Sequence, residues 1–180
     1  EEGFIYGRLG NPTVRELEQK MAVLEGTEDA AAFGSGMGAI CSTLLANLNT
    51  GDHIISSSAL YGCTFTLLNH KFKDLGIEVS FVDMTNEQEV RAAIKDNTKV
   101  IFLETPVNPN LVVFDIKLLA GIAKEHELVS VIDNTFMSPV LQQPIPMGFE
   151  IVVHSATKYL NGHGDVVAGI ACGSAEQIEN

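Results

Sequence analysis

Apolar residues fall into short runs separated by longer stretches in which they recur at helical spacing. The short runs predict strands at 28–33, 52–57, 77–82, 98–104, 128–133, 150–154 and 166–172. The helical spacing predicts helices at 12–24, 36–48, 61–73, 86–95 and 115–126. Every position of Val100-Ile-Phe-Leu103 and of Ile151-Val-Val153 is apolar, which suits strands covered on both faces. Strand and helix alternate along the chain, so the expected fold class is α/β: three layers, αβα, around a mostly parallel sheet.

Local signals sharpen the boundaries. Asn86 with Glu89 predicts a reciprocal capping box at one helix start, and Ser174 with Gln177 predicts another. The second helix has scarcely begun at Asn180, and the first residue is Glu, so the chain is expected to be part of a longer protein. Residues 1–11 have no core face and read as an extended arm. No repeat or low-complexity linker interrupts the chain.

Composition narrows the classes. The 180 residues are 46% hydrophobic and 19% charged, as expected of a globular chain with one substantial core. A net charge of −12 repels phosphate backbones and argues against a nucleic-acid partner. No apolar run approaches a membrane span, and no charged-then-apolar leader is visible. Cys41, Cys63 and Cys172 are odd in number and form no CxxC pair, which fits a reduced, cytoplasmic protein. The five histidines have no metal-ligand spacing, and no GxSxG elbow is present, so neither a metal site nor a serine hydrolase is expected.

Candidate chemistry gathers at predicted strand ends. Glu150-Ile-Val-Val-His-Ser-Ala-Thr-Lys-Tyr159 takes an apolar run into two hydroxyls and a lysine. Most lysines are solvated surface groups. Lys158 stands out because Ser155 and Thr157 could donate to phosphate oxygens beside it, and because Asp133 ends another apolar run, Leu128-Val-Ser-Val-Ile-Asp133. A Schiff-base lysine, a carboxylate for a pyridine nitrogen and phosphate donors together point to pyridoxal 5'-phosphate (PLP). Gly34-Ser-Gly-Met-Gly-Ala39 follows a strand and opens a helix, an anion site. It also satisfies the dinucleotide fingerprint G-x-G-x-x-A. The acid which that fingerprint needs after the next strand is missing from Ile54-Ile-Ser-Ser-Ser58, so a single phosphate is favoured over a Rossmann module. Tyr61 starts a helix, either as a core aromatic or as a ring that stacks on the cofactor. Tyr6 and Arg8, two apart in the arm, would point to one side, and arginine suits phosphate.

These residues together resemble the gamma-subfamily of PLP-dependent enzymes of sulfur amino-acid metabolism. The blocks that carry the resemblance are Tyr6-Gly-Arg8-Leu-Gly-Asn-Pro-Thr13, Ser35-Gly-Met-Gly-Ala39, Leu60-Tyr-Gly-Cys-Thr64, Glu104-Thr-Pro-Val-Asn-Pro109, Val131-Ile-Asp-Asn-Thr135 and His154-Ser-Ala-Thr-Lys-Tyr159. They extend over nearly the whole chain in the family's order.

The resemblance implies a fold-type I, aspartate aminotransferase-like large domain. Residues 1–11 would be part of an N-terminal arm, 12–180 the PLP-binding large domain, and a C-terminal small domain would lie outside this chain. Lys158 would carry the cofactor and Asp133 would pair with its pyridine nitrogen. Tyr61 would stack on the ring and assist the leaving group, and Asn108 would bond the phenolic oxygen. Gly36, Met37, Ser155 and Thr157 would hold the phosphate, while Tyr6 and Arg8 would reach the phosphate in a neighbouring subunit. A homo-oligomer with shared sites follows, a tetramer built as a dimer of dimers. The family's substrate-carboxylate arginine has no match among Arg8, Arg15 and Arg91, which leaves a non-catalytic piece as a rival reading.

Cys63 in Tyr-Gly-Cys-Thr resembles the members that act on methionine, where related enzymes commonly carry glycine. The implied activity is α,γ-elimination of L-methionine to methanethiol, ammonia and 2-oxobutanoate, with Lys158, Tyr61 and Cys63 at the chemistry. Cystathionine γ-lyase or O-acetylhomoserine sulfhydrylase activity is the alternative on the same scaffold.

Overall fold

A computed structural model describes residue 3 and residues 5–179; positions 1, 2 and 4 of the predicted arm, and residue 180, lie outside the described residues. The strands are β1 (Asp29–Phe33), β2 (His53–Ser57), β3 (Glu78–Val82), β4 (Thr98–Glu104), β5 (Val129–Asp133), β6 (Ile151–Ser155) and β7 (Gly169–Gly173). The α-helices are α1 (Pro12–Glu25), α2 (Gly36–Ala46), α3 (Gly62–Thr66), α4 (Glu87–Ala92), α5 (Ile116–Glu125), α6 (Ser138–Leu141) and α7 (Ala175–Glu179).

All seven strands form one sheet, in the order β1-β7-β6-β5-β4-β2-β3. The pairs from β3 through β6 are parallel. β7 runs antiparallel to both β6 and β1, so β1 points the same way as the parallel set. The expected three-layer, mostly parallel architecture is present.

Alternation along the strands builds two cores. Ile101, Leu103, Ile132 and Val152 face the layer with α5. Val100, Phe102, Val131 and Val153 face the layer with α2 and with Leu68 and Phe72. A smaller cluster of Met21, Ala22, Ile170 and Cys172 seats α1 on the sheet. Asn11 caps α1 by accepting from the backbone N–H groups of Thr13 and Val14, and Gly26 ends it with φ 75°, which favours glycine.

Several local expectations change. The predicted helix 61–73 is α3 continued by a π-helical segment, Leu67–Phe72, which buries Leu68 and Phe72. The predicted strand 166–172 starts only at Gly169. Val166 and Val167 are exposed in the preceding loop, so their apolar character does not report a strand. α6 and a short 3-10 turn, Ile145–Met147, were not foreseen. At α4, Asn86 accepts from the N–H groups of Gln88 and Glu89, but Glu89 does not reach back to it. The Asn86 N–H already donates to the Asp83 carbonyl, and Glu89 accepts from the Asp83 N–H at 2.9 Å instead. The Ser174–Gln177 box is reciprocal, with bonds of 3.2 and 3.0 Å.

The arm also differs in detail. Tyr6 accepts backbone bonds from Leu9 and Gly10, so a turn replaces the extended course. The Arg8 guanidinium lies 5.4 Å from the Tyr6 ring centre. Tyr6 and Leu9 are exposed.

Candidate active site

The carboxyl ends of β1, β4, β5 and β6 meet at one end of the sheet, where open α/β sheets take their ligands. A cleft of about 1020 Å³ opens there. Gly36, Met37, Tyr61, Asn108, Asp133, Ser155, Thr157 and Lys158 line it, together with Glu104, Thr135 and the loop 162–167. Cys63 lies just outside, and Tyr6 and Arg8 do not line it.

α2 is laid directly against the strand ends. A Cβ on Gly36 would sit 2.6 Å from the Ser155 Cβ, and one on Gly169 would sit 2.1 Å from the Ser35 carbonyl oxygen. Only glycine at both places lets the helix start come this close. Ser35 accepts from the Gly38 N–H at 3.0 Å and caps the helix. The Gly36 and Met37 N–H groups belong to the first turn, which lacks intrahelical acceptors, and they have no other partner among the described residues. The result is a cradle of free N–H groups beside the Ser155 hydroxyl, suited to an anion. The Thr157 hydroxyl is engaged with Ala168, donating to its carbonyl at 3.2 Å and accepting from its N–H at 3.0 Å.

Asp133 ends β5 almost buried. Its Oδ1 accepts from the Thr135 N–H at 3.0 Å and from the Thr135 hydroxyl. Burial pushes its carboxyl above the ordinary carboxylate range, against the pull of the two Thr135 donors and of His154. A cation beside it would favour the charged form, so the site suits a protonated pyridine. The Thr135 hydroxyl also accepts from the Ser155 N–H at 2.8 Å, which ties β5 to β6. The Lys158 backbone N–H bonds the Ser155 carbonyl, and its amine has no partner among the described residues.

Tyr61 starts α3 and is partly exposed. The Cys63 thiol donates to its phenolic oxygen at 3.3 Å. The Tyr61 hydroxyl is raised above its usual range, first by its bond with Cys63 when the phenol is the donor, then by the repulsion a phenolate would meet from a thiolate there, by burial and by Glu104. Glu104, at the end of β4, accepts from the Tyr61 N–H at 2.8 Å and from the Asn108 N–H at 3.0 Å. Burial and the Asp133 charge push its carboxyl up to about 7, against those two bonds.

Sequence reasoning missed Glu104 and Thr135 as site residues. Thr135 had a signal: a hydroxyl residue two places after an aspartate at a strand end is an Asx-turn pattern. Glu104 had none beyond its position at a strand end, since its partners are backbone groups. It also missed a buried network behind the site. His154 and Asn134 both bond the Glu25 carboxylate of α1, and Gln142 bonds Asn134. Among the described residues no cluster of three or more His, Cys, Asp or Glu could hold a metal ion.

The mostly parallel sheet with helices on both faces is that of fold-type I PLP-dependent enzymes, and a lysine, a buried aspartate and an anion cradle lie together at its strand ends. The chain belongs to the family described as Cys/Met metabolism PLP-dependent enzyme, whose model matches residues 1–180. It is 54% identical over 171 residues to an L-methionine gamma-lyase of Fusobacterium nucleatum subsp. nucleatum, covering 94% of this chain and 43% of that protein. It is 47% identical over 173 residues to the cystathionine beta-lyase MetC of Bacillus subtilis, covering 96% of this chain and 44% of that protein. The crystal structure of metB from Corynebacterium glutamicum superposes with a TM-score of 0.96 at 44% identity, covering 99% of this chain and 46% of that one. The chain thus spans less than half the length of the relatives it matches.

Proposed function

We propose that the protein is a carbon–sulfur lyase acting on L-methionine by α,γ-elimination, in which methionine and water give methanethiol, ammonia and 2-oxobutanoate. The observation that carries this choice is the pair at the start of α3, a Cys63 thiol 3.3 Å from the Tyr61 hydroxyl. The likeness to L-methionine gamma-lyases supports it.

PLP, when bound, supplies an electron sink next to the substrate's amino group. Lys158 would hold its aldehyde and, with its amine free, would move protons from Cα toward Cβ. Asp133 would keep a proton on the pyridine nitrogen. Asn108 would orient the phenolic oxygen, and the Gly36 and Met37 N–H groups, with Ser155 and, once its hydroxyl turns from the Ala168 carbonyl, Thr157, would receive the phosphate. Tyr61, kept protonated, donates to the departing sulfur, and Cys63 orders that hydroxyl.

In this reading residues 12–180 are the cofactor-binding large domain and 1–11 part of an arm. Tyr6 and Arg8 complete a neighbouring subunit's phosphate site, in a homo-oligomer assembled as a dimer of dimers. Their exposure and their absence from this chain's own cleft support that role. The three free cysteines support a cytoplasmic location, and no helix among the described residues is long and apolar enough to cross a membrane.

The second reading is a cystathionine γ-lyase or an O-acetylhomoserine sulfhydrylase on the same scaffold; the likeness to the cystathionine beta-lyase MetC supports action on cystathionine. The test compares kcat/KM for methionine, cystathionine and homocysteine in the parent and in Cys63→Gly, with sulfhydrylation of O-acetylhomoserine assayed alongside. Methionine is expected to lose most, with the cofactor spectrum intact and borohydride trapping on Lys158. Unchanged ratios, or trapping on another lysine, overturn the reading.

A further inference from the structure

Glu104 is a buried carboxylate with no cation on it among the described residues. Its two oxygens serve two different segments. Oε2 accepts from the Tyr61 N–H at 2.8 Å, at the start of α3. Oε1 accepts from the Asn108 N–H at 3.0 Å, in the loop after β4. Its near neighbour in charge is Asp133, of the same sign. A buried, repelled carboxylate is an expensive way to fill space. Two neutral acceptors would hold the same N–H groups without that repulsion.

We propose that Glu104 is a positioning residue that sets Tyr61 and Asn108 in register with one another through one bidentate carboxylate. The proposal rests on the reading that those two residues serve the cofactor and the leaving sulfur. It assigns them a shared anchor, so that the proton donor and the phenolic-oxygen contact are placed together rather than separately.

The clamp has a consequence for pH. A carboxylate accepts with both oxygens, whereas a neutral acid uses one of them as a donor. Protonation therefore releases one of the two segments. The group is pushed up to about 7 by burial and by Asp133, so the release falls inside the working range. The ionisable groups around it are Asp133 from β5, Tyr61 and Cys63 from α3, Lys158 from the turn after β6, and His163 and Asp165 from the cleft loop. Of these, Asp133 is the one whose charge raises Glu104.

The test uses Glu104→Gln, which keeps the shape but offers one acceptor at every pH. The first readout needs no turnover: the pH profile of Cys63 alkylation by iodoacetamide, followed by peptide mass spectrometry to separate it from Cys41. In the parent the profile carries an inflection near 7 besides the ordinary thiol titration. In Glu104→Gln the inflection disappears, and alkylation at pH 8 is several-fold faster because the Cys63–Tyr61 contact loosens. The second readout is kcat for methionine, expected to fall about tenfold at pH 8 with KM little changed and the acid limb near 7 gone. Glu104→Asp, which keeps the charge, retains that limb. Parental profiles in Glu104→Gln by both readouts overturn the proposal. A changed alkylation profile in a protein that, even as the parent, eliminates nothing from methionine sinks the functional reading and leaves the clamp standing. Should Glu104→Gln fail to fold, the parent's alkylation profile decides, and a profile with no inflection near 7 overturns the clamp.

Discussion

Thr135 does two things with one hydroxyl. It donates to Asp133 and accepts from the Ser155 N–H, so the buried carboxylate and the Ser155 side of the anion cradle are joined through a single oxygen. Bonds to a charged acceptor are worth about 1.5–3 kcal/mol. Thr135→Val, which keeps the volume, is therefore expected to weaken cofactor binding roughly 10- to 100-fold; titration of the cofactor-stripped protein checks this, and parental affinity would count against it. Glu104 gives a second expectation, in stability. Its folded-state value of about 7 lies above the ordinary 4.5, so between those values the folded protein holds a proton that the unfolded chain releases. This contribution is fully present below pH 4.5 and is lost as pH rises through 7. Relative to Glu104→Gln, the cofactor-free parent should gain roughly 2 to 3 kcal/mol between pH 8 and pH 5 by urea unfolding. Asp133 and Lys158 were legible as a pair, a carboxylate and a lysine at two strand ends, which are the groups a pyridine nitrogen and an aldehyde call for. Glu104 and Thr135 were not, since what distinguishes them is the backbone N–H each one meets in space.

At the scale of elements, the decisive contact is α2 against β6 and β7. Gly169 pairs with Ser155 on one side and Phe33 on the other, and the Ser35 carbonyl sits over it. Gly169→Ala puts a methyl 2.1 Å from that backbone oxygen. No rotamer relieves the clash, so α2 must lift. A loss of about 1–3 kcal/mol in stability is expected, with a loss of cofactor affinity out of proportion to it, because the Gly36 and Met37 N–H groups move together. Equal affinity in both proteins would show that the cradle tolerates the shift. The strands and the longer helices were readable because burial imposes period 2 or 3.6 on the chain. α6 and the 3-10 turn are too short to show a period, and Pro139, Pro144 and Pro146 interrupt them. The loop 162–168 carries apolar side chains for the cleft rather than for the core, which is why its valines imitated the start of β7.

At the scale of the whole molecule, Tyr6 and Arg8 do not line the cleft of their own chain, and the proposal that they complete a neighbour's site can be tested by complementation. Arg8→Ala and Lys158→Ala should each be inactive or nearly so. Dissociated and mixed in equal amounts, they should recover about a quarter of parental activity, from hybrid dimers with one site intact. Verified hybrids that stay inactive would exclude sharing. A different consequence follows from the pairing of β1 with β7, in which Asp29 sits opposite Gly173. The helix that offers its N–H groups to the anion follows β1, early in the chain, and the surface it rests on arrives with β6 and β7, more than a hundred residues later. Pairings between such distant segments form late in folding. On a ribosome adding about 5–20 residues per second, the helix therefore waits on the order of ten seconds for its seat. The cradle matures only after β7 has emerged, and stable capture of the cofactor marks a chain whose early and late strands have already found each other.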